Sequence, residues 1–212
     1  MNKNFFTILL AIFVAISLAS CDRDNDDNSI DDPISNPLGI GSPTATTDPG
    51  VLIGGIRWAT RNVDAPGTFA ATPESLGMFF QWNRRQGWAG NITSITGTAW
   101  YADNDPCPPG WRVPTALEGS SLARAASVWA IRNGMVGRYF GVEPNQIFLP
   151  AAGWRTSRVY NYRGNGVYWL AGRYLWFQGR ANSLVFNLFE VSASPYPPRH
   201  KTNGQSVRCV AK

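Results

Sequence analysis

From residue 51 onward the chain alternates short apolar runs with breaks rich in glycine, proline and asparagine, a pattern of strands and turns far more than of helices. Residues 51–60 (Val-Leu-Ile-Gly-Gly-Ile-Arg-Trp-Ala-Thr) read as one β-type run, stopped by the turn sequence at 62–67. Residues 78–83 suggest a short aromatic strand followed by an ordered loop through Trp88. Residues 147–155 read as a core strand ending in a bend, 167–170 and 184–189 as further strands, and 205–210 as a last, alternating one. One helix stands out. Pro108-Pro109-Gly110 fixes a tight turn, after which Thr115 and Glu118 have capping-box spacing: the hydroxyl accepts from the third helical amide and the carboxylate reaches back to the Thr115 amide. Leu117, Leu122, Ala125, Ala126 and Trp129 then fall on one helical face, Glu118, Arg124 and Arg132 face water, and Asn133-Gly134 is the stop. Residues 135–146 fit either period. The expectation is an α+β fold, loop-rich, of about six short strands and one main helix.

The first 49 residues follow different rules. Residues 5–18 form an apolar run behind Lys3, too short to span a bilayer and of signal-peptide length. Leu18-Ala19-Ser20-Cys21 resembles the bacterial lipobox, which makes residues 1–20 a lipoprotein signal peptide and Cys21 the lipidated first residue of the mature chain. Acyl chains at Cys21 would hold the protein on a membrane, each buried CH₂ contributing about 0.8 kcal/mol. Residues 21–49 carry seven aspartates and few apolar side chains, the composition of a disordered acidic tether. Its early acids resemble the export signal that sends lipoproteins of the Bacteroidetes to the outer face of the outer membrane.

Charge and cysteines then bear on residues 50–212. That part holds fifteen Arg and two Lys against seven acidic residues, so it is strongly basic, and it holds all nine tryptophans. An arginine excess suits bidentate or stacking contacts with anionic or sugar partners. Nucleic acid is not the expected partner, since no basic run, helix-turn-helix or zinc pattern is present. With Cys21 lipidated, Cys107 and Cys209 are left as a pair, which in an oxidising envelope compartment reads as a disulfide closing a loop of about a hundred residues.

Several motifs occur in the order seen in one family: Trp58-Ala59-Thr60-Arg61-Asn62-Val63, Cys107-Pro108-Pro109-Gly110-Trp111-Arg112-Val113-Pro114-Thr115, Phe148-Leu149-Pro150-Ala151-Ala152-Gly153, Tyr168-Trp169, and Asn203-Gly204-Gln205-Ser206-Val207-Arg208-Cys209-Val210. Over residues 51–211 the chain resembles the Fibrobacter succinogenes major paralogous domain family, grouped with the C-type lectin-like fold. The resemblance implies a twisted antiparallel sheet with a helix packed on it and adjacent chain ends, on surface lipoproteins or fimbrial adhesins. The residues after Tyr168-Trp169 depart from the family, being Leu170-Ala171-Gly172 in place of small hydroxyl residues. The helix entry at 111–118 is also similar to that of the formylglycine-generating enzymes.

Catalytic signatures are sparse. Glu143-Pro144-Asn145 resembles the calcium-dependent sugar triplet of C-type lectins, but no Trp-Asn-Asp motif follows and carboxylate oxygens are few, so it reads as a turn and no metal or cofactor is expected. His200 is the sole histidine and sits in a Pro-Arg-His-Lys loop; no GxSxG, HExxH, P-loop or CxxC pattern occurs. The alternative of a formylglycine-generating type of enzyme would need Cys107 and Cys209 as reactive thiols; a purely structural envelope lipoprotein is a further alternative. The leading expectation is a non-enzymatic surface module that binds glycan or protein, with or without fimbrial subunits, through Trp154, Arg155, Tyr160, Tyr162, Arg163 and Asn165, with Arg158 beside them.

Overall fold

The computed structural model describes residues 45–156, 159–160 (main chain only), 164–194 and 197–212. The expected signal peptide, Cys21 and most of the expected acidic tether lie outside the described residues. The strands in chain order are β1 Val51–Ile53, β2 Ile56–Trp58, β3 Trp111–Arg112, β4 Ser127–Arg132, β5 Met135–Val142, β6 Asn145–Pro150, β7 Trp154–Arg155, β8 Val159–Tyr160, β9 Gly166–Arg173, β10 Arg180–Phe186, β11 Val191–Ala193, β12 Arg199–His200 and β13 Val210–Ala211. A single α-helix, α1, spans Ala116–Arg124. The architecture is a small α+β fold of short antiparallel strands, with more and shorter strands than the sequence pattern suggests.

One four-stranded sheet, in the order β1-β2-β13-β3, joins the two ends of the described chain, because Val210 pairs with both Trp58 and Arg112. A second is centred on β10, which pairs with β9 along one edge and with β11 and β12 on the other. The third is the meander β4-β5-β6, and β7 pairs with β8. The expected single run at 51–60 is a hairpin instead, Gly54 and Gly55 turning the chain between β1 and β2.

Two hydrophobic cores flank β9. Trp169 joins Phe80, Trp82, Trp111, Val207 and the Cys107–Cys209 pair on one side. Tyr168 and Leu170 join Trp58, Leu122, Phe140, Leu149 and Phe186 on the other. Successive strand side chains point to opposite faces, so a run buried on both faces reads as continuous apolar sequence, as 167–170 does. The closing segment is similar: residues 204–210 are all buried rather than alternating, and only Val210–Ala211 is strand.

The helix starts where the sequence places it and stops much sooner. Thr115 Oγ1 accepts from the Glu118 amide, and Glu118 reaches back to the Thr115 amide at 2.7 Å, a complete capping box. Glu118 does not simply face water, because Arg112 donates two bonds to its carboxylate at 2.8 and 2.6 Å. Burial pushes the Glu118 carboxyl up, but the hydrogen bonds from Arg112 and Thr115 outweigh it and hold it below its ordinary value. Beyond Arg124 the chain turns extended at Ala125, and the residues assigned to a second half of the helix, Ala126 and Trp129 among them, lead into or lie on the edge strand β4. Asn133 and Gly134 both have positive φ, 46° and 77°, so they form the two-residue turn of the β4–β5 hairpin, not a helix stop. Leu117 is 82% exposed while Leu122 is 1% exposed. Five residues turn a helix through about 500°, so the two cannot share a face. Arg132, expected in water, pairs with Glu74.

The loop ahead of α1 is scaffold. Cys107 is bonded to Cys209, 102 residues away, and both lie in the core. The Asp105 carboxylate accepts from the Cys107 and Val113 amides at 2.9 and 3.0 Å, and burial pushes its pKa up in spite of those bonds.

The fold begins earlier than residue 50. Asp48, assigned to the tether, has a fully buried side chain that accepts from the Gly50 and Thr60 amides, the Thr60 hydroxyl and Arg61 Nε. Arg61 also donates to the Thr47 and Ala70 carbonyls. A buried ion pair needs such extra bonds to offset its desolvation. Residues 45–49 are therefore part of the domain.

Candidate functional site

The predicted binding residues divide about β7. Neighbours on a strand point to opposite faces, so Trp154 and Arg155 cannot belong to one patch. Arg155 is fixed by a reciprocal pair of main-chain bonds with Gly204, both 2.7 Å. Its exposed guanidinium lies 4.9 Å from the ring centre of Trp88. Trp88 is itself clamped: its amide donates to the Phe79 carbonyl at 2.7 Å and its Nε1 to the Thr202 carbonyl at 3.1 Å. A Cβ at Gly204 would fall 2.9 Å from Trp88 Cγ, so glycine is what lets the indole lie against that backbone.

Arg155 and Trp88, with Gly77, Met78 and Phe79, line an open cleft of about 310 Å³. Its lining combines the apolar side chains of Met78, Phe79 and Trp88 with one cation, Arg155. A guanidinium stacked by its face on an indole keeps its N–H fork free at the edge, the arrangement for bidentate contact with a carboxylate.

Trp154 belongs to the other side of β7. There Arg199 lies 4.6 Å from its ring centre, with Arg199 Nε buried and unbonded. Burial, and then the neighbouring Arg180, pull the Arg199 pKa down. Asn165 is half-buried, and its carbonyl accepts the Gly153 amide at 2.7 Å, a main-chain duty. Tyr160 pairs with Trp154 through the β8 backbone. The side chain of Tyr160, and Arg158, Tyr162 and Arg163 entirely, lie outside the described residues.

No family model, curated protein or solved structure matches the chain. The site therefore has to be read from its own chemistry. The residues that sequence reasoning missed are Trp88, Met78, Phe79 and Arg199. Trp88 carried a faint signal, since Gly87 and Gly90 bracket it in a loop too glycine-rich for a strand. Among the described residues no group of three His, Cys, Asp or Glu side chains is placed to share a metal ion. Glu143 accepts from Gln146 Nε2 at 2.8 Å in the β5–β6 turn, and His200 is exposed.

Proposed function

We propose that the protein is a lipid-anchored binding module of the cell surface, with a C-type lectin-like domain of the Fibrobacter succinogenes major paralogous type that takes a glycan or protein ligand. The observation that carries this reading is the Arg155–Trp88 stack at the rim of an apolar cleft: an exposed, preorganised cation on an aromatic platform has no stabilising task that requires an open cleft beside it. The joined chain ends support the lectin-like reading. The buried Cys107–Cys209 bridge weighs against the alternative enzyme, which needs both as thiols.

The test uses residues 21–212 with Cys21→Ser, screened against arrays of glycans and host proteins with and without calcium. Binding to at least one array member is expected, weakened roughly tenfold or more by Arg155→Ala and by Trp88→Ala at unchanged melting temperature of the arginine variant. No ligand in either calcium condition, or no ligand whose binding depends on Arg155, would refute it. The anchor has its own check. Cys21→Ser is expected to release the protein from the membrane fraction, and protease added to intact cells is expected to digest the wild type; a protected, membrane-bound Ser variant would overturn both points.

A further inference from the structure

A second cavity, apart from the Arg155 cleft, lies between the loop at 94–98 and the β9–β10 hairpin loop. It encloses about 390 Å³, within the range of about 300–1,000 Å³ common for small-ligand sites. Its wall presents the hydroxyl residues Ser94, Thr96 and Thr98, the amide residue Gln178 and the cation Arg173. Arg173 is half-buried, and its guanidinium forms no ion pair among the described residues: the three ion pairs there involve Arg61, Arg112 and Arg132.

A second positive charge stands behind the wall. Lys201, 1% exposed, donates from Nζ to the Gly97 carbonyl at 2.6 Å, with the Trp82 ring centre 4.4 Å away. Burial first, and then the charge of Arg173, pull the Lys201 pKa down. Acids are scarce here. After Glu143 the chain has one acidic residue, Glu190, which is hydrogen-bonded to Asn187 in the β10–β11 turn, at the far end of β10 from the cavity.

The loop that closes the cavity also carries exposed aromatics. Tyr174 and Arg180 close it through main-chain bonds, Tyr174 and Phe177 stack with ring centres 6.0 Å apart, and Leu175, Trp176 and Phe177 are 75%, 82% and 43% exposed. Large apolar side chains held out on a short, hydrogen-bonded loop mark a contact surface.

We infer that this cavity binds an acidic saccharide of the uronic-acid type, its carboxylate on Arg173, its hydroxyls on Ser94, Thr96, Thr98 and Gln178, and an apolar ring face toward the aromatic loop. Paired charge-assisted bonds from a guanidinium suit a carboxylate, and aromatic faces suit the C–H face of a pyranose. A neutral sugar would leave the Arg173 guanidinium without an anionic partner.

The experiment is calorimetric titration of residues 21–212 bearing Cys21→Ser with an oligogalacturonate, its methyl ester and a neutral maltooligosaccharide. The acid form is expected to bind at least roughly tenfold tighter than either neutral probe and to weaken as salt is raised. Arg173→Gln is expected to remove that preference, Trp176→Ala to weaken acid and ester alike, and Arg155→Ala to leave uronate binding unchanged. Equal binding of acid and ester, or insensitivity to Arg173→Gln, overturns the inference. Loss of uronate binding in Arg155→Ala would move the ligand to the other cleft and overturn this site while sparing the proposed function. Adsorption to phosphatidylglycerol vesicles without uronate binding would assign the loop to a lipid surface and also overturn it. The exposed position of Trp176 makes Trp176→Ala a folded control should Arg173→Gln be unstable.

Discussion

Replacing Cys107 and Cys209 together by alanine is expected to lower the stability of the fold by about 4.7 kcal/mol, the chain-entropy value for a loop of this length. The bridge joins residues 102 apart, so the unfolded chain gains much freedom when it is removed. Its position adds to the effect. The Cys209 carbonyl accepts the Ala59 amide at 2.9 Å, and the next residue, Val210, is the one through which β13 pairs with β2 and β3. With the bridge gone, the loop that leads into α1 is held to the final strand by two ladder positions, the bond from the Lys212 amide to the Gly110 carbonyl at 3.0 Å, and packing. A loss of that size corresponds to a fall of roughly 10 °C in melting temperature for a domain of this size. Thermal melts followed by circular dichroism, with and without reductant, make the measurement. A double variant, or a fully reduced protein, melting within two or three degrees (~1 kcal/mol) of the oxidised parent would show that the bridge contributes little.

The parts of this fold legible in the sequence are those fixed by neighbours. The capping box of Thr115 and Glu118 is a matter of three-residue spacing, and it forms as read. The disulfide follows from counting cysteines once one is assigned to an anchor. The overrun of the helix shows where local evidence fails. Alanines at 125 and 126 continue a helical composition, but Val128, Trp129 and Ile131 suit an edge strand, and Asn-Gly serves either a helix end or a two-residue hairpin. What decides is the partner strand: six residues of β4 find register with β5, a gain invisible without the fold.

The same limit shaped the reading of the site. Asp48 looked like one more acid in a solvated tether, and nothing local announced that Arg61 would bury it. Arg155 is exposed, yet its aromatic platform is Trp88, far away in sequence, not its neighbour Trp154. The alternation of strand side chains already separated 154 from 155 once both are placed on a strand; only the long-range pairing supplied the partners on each side. Trp176, one of nine tryptophans expected in an aromatic-packed domain, stands out in solvent instead.

Arg208→Met is expected to cost about 3–5 kcal/mol, a loss that hydrophobic compensation cannot cancel, because the side chain acts as a hub of hydrogen bonds. Arg208 is 1% exposed and donates to Asn62 Oδ1 at 2.9 Å and to the Ala59 and Phe148 carbonyls at 3.1 Å each. Methionine fills much of the stem's volume but leaves three acceptors dry, each worth about 1–3 kcal/mol. Arg208→Lys keeps the charge, but one nitrogen cannot reach all three acceptors, which lie on two segments, so a smaller loss in the same direction is expected. Alkaline pH separates this role from simple packing. Burial pulls the Arg208 pKa well below the ordinary guanidinium range, to about 10, so above pH 10 the unfolded chain binds more protons and stability rises with pH. Tyr168, whose hydroxyl donates to the Pro150 carbonyl at 2.7 Å, is pushed by burial from 10.0 up to about 12; its contribution is complete below pH 10 and is lost as pH rises through 12. The two trends oppose each other in the parent; Arg208→Met removes the arginine's and, by taking away the charge and hydrogen bond that hold the Tyr168 pKa down, strengthens the tyrosine's. Denaturant melts at neutral pH and across pH 10–12 are therefore expected to show a destabilised variant that loses further stability with pH more steeply than the parent. Equal stability at neutral pH, or parallel curves above pH 10, would show that the guanidinium is not the hub its bonds describe.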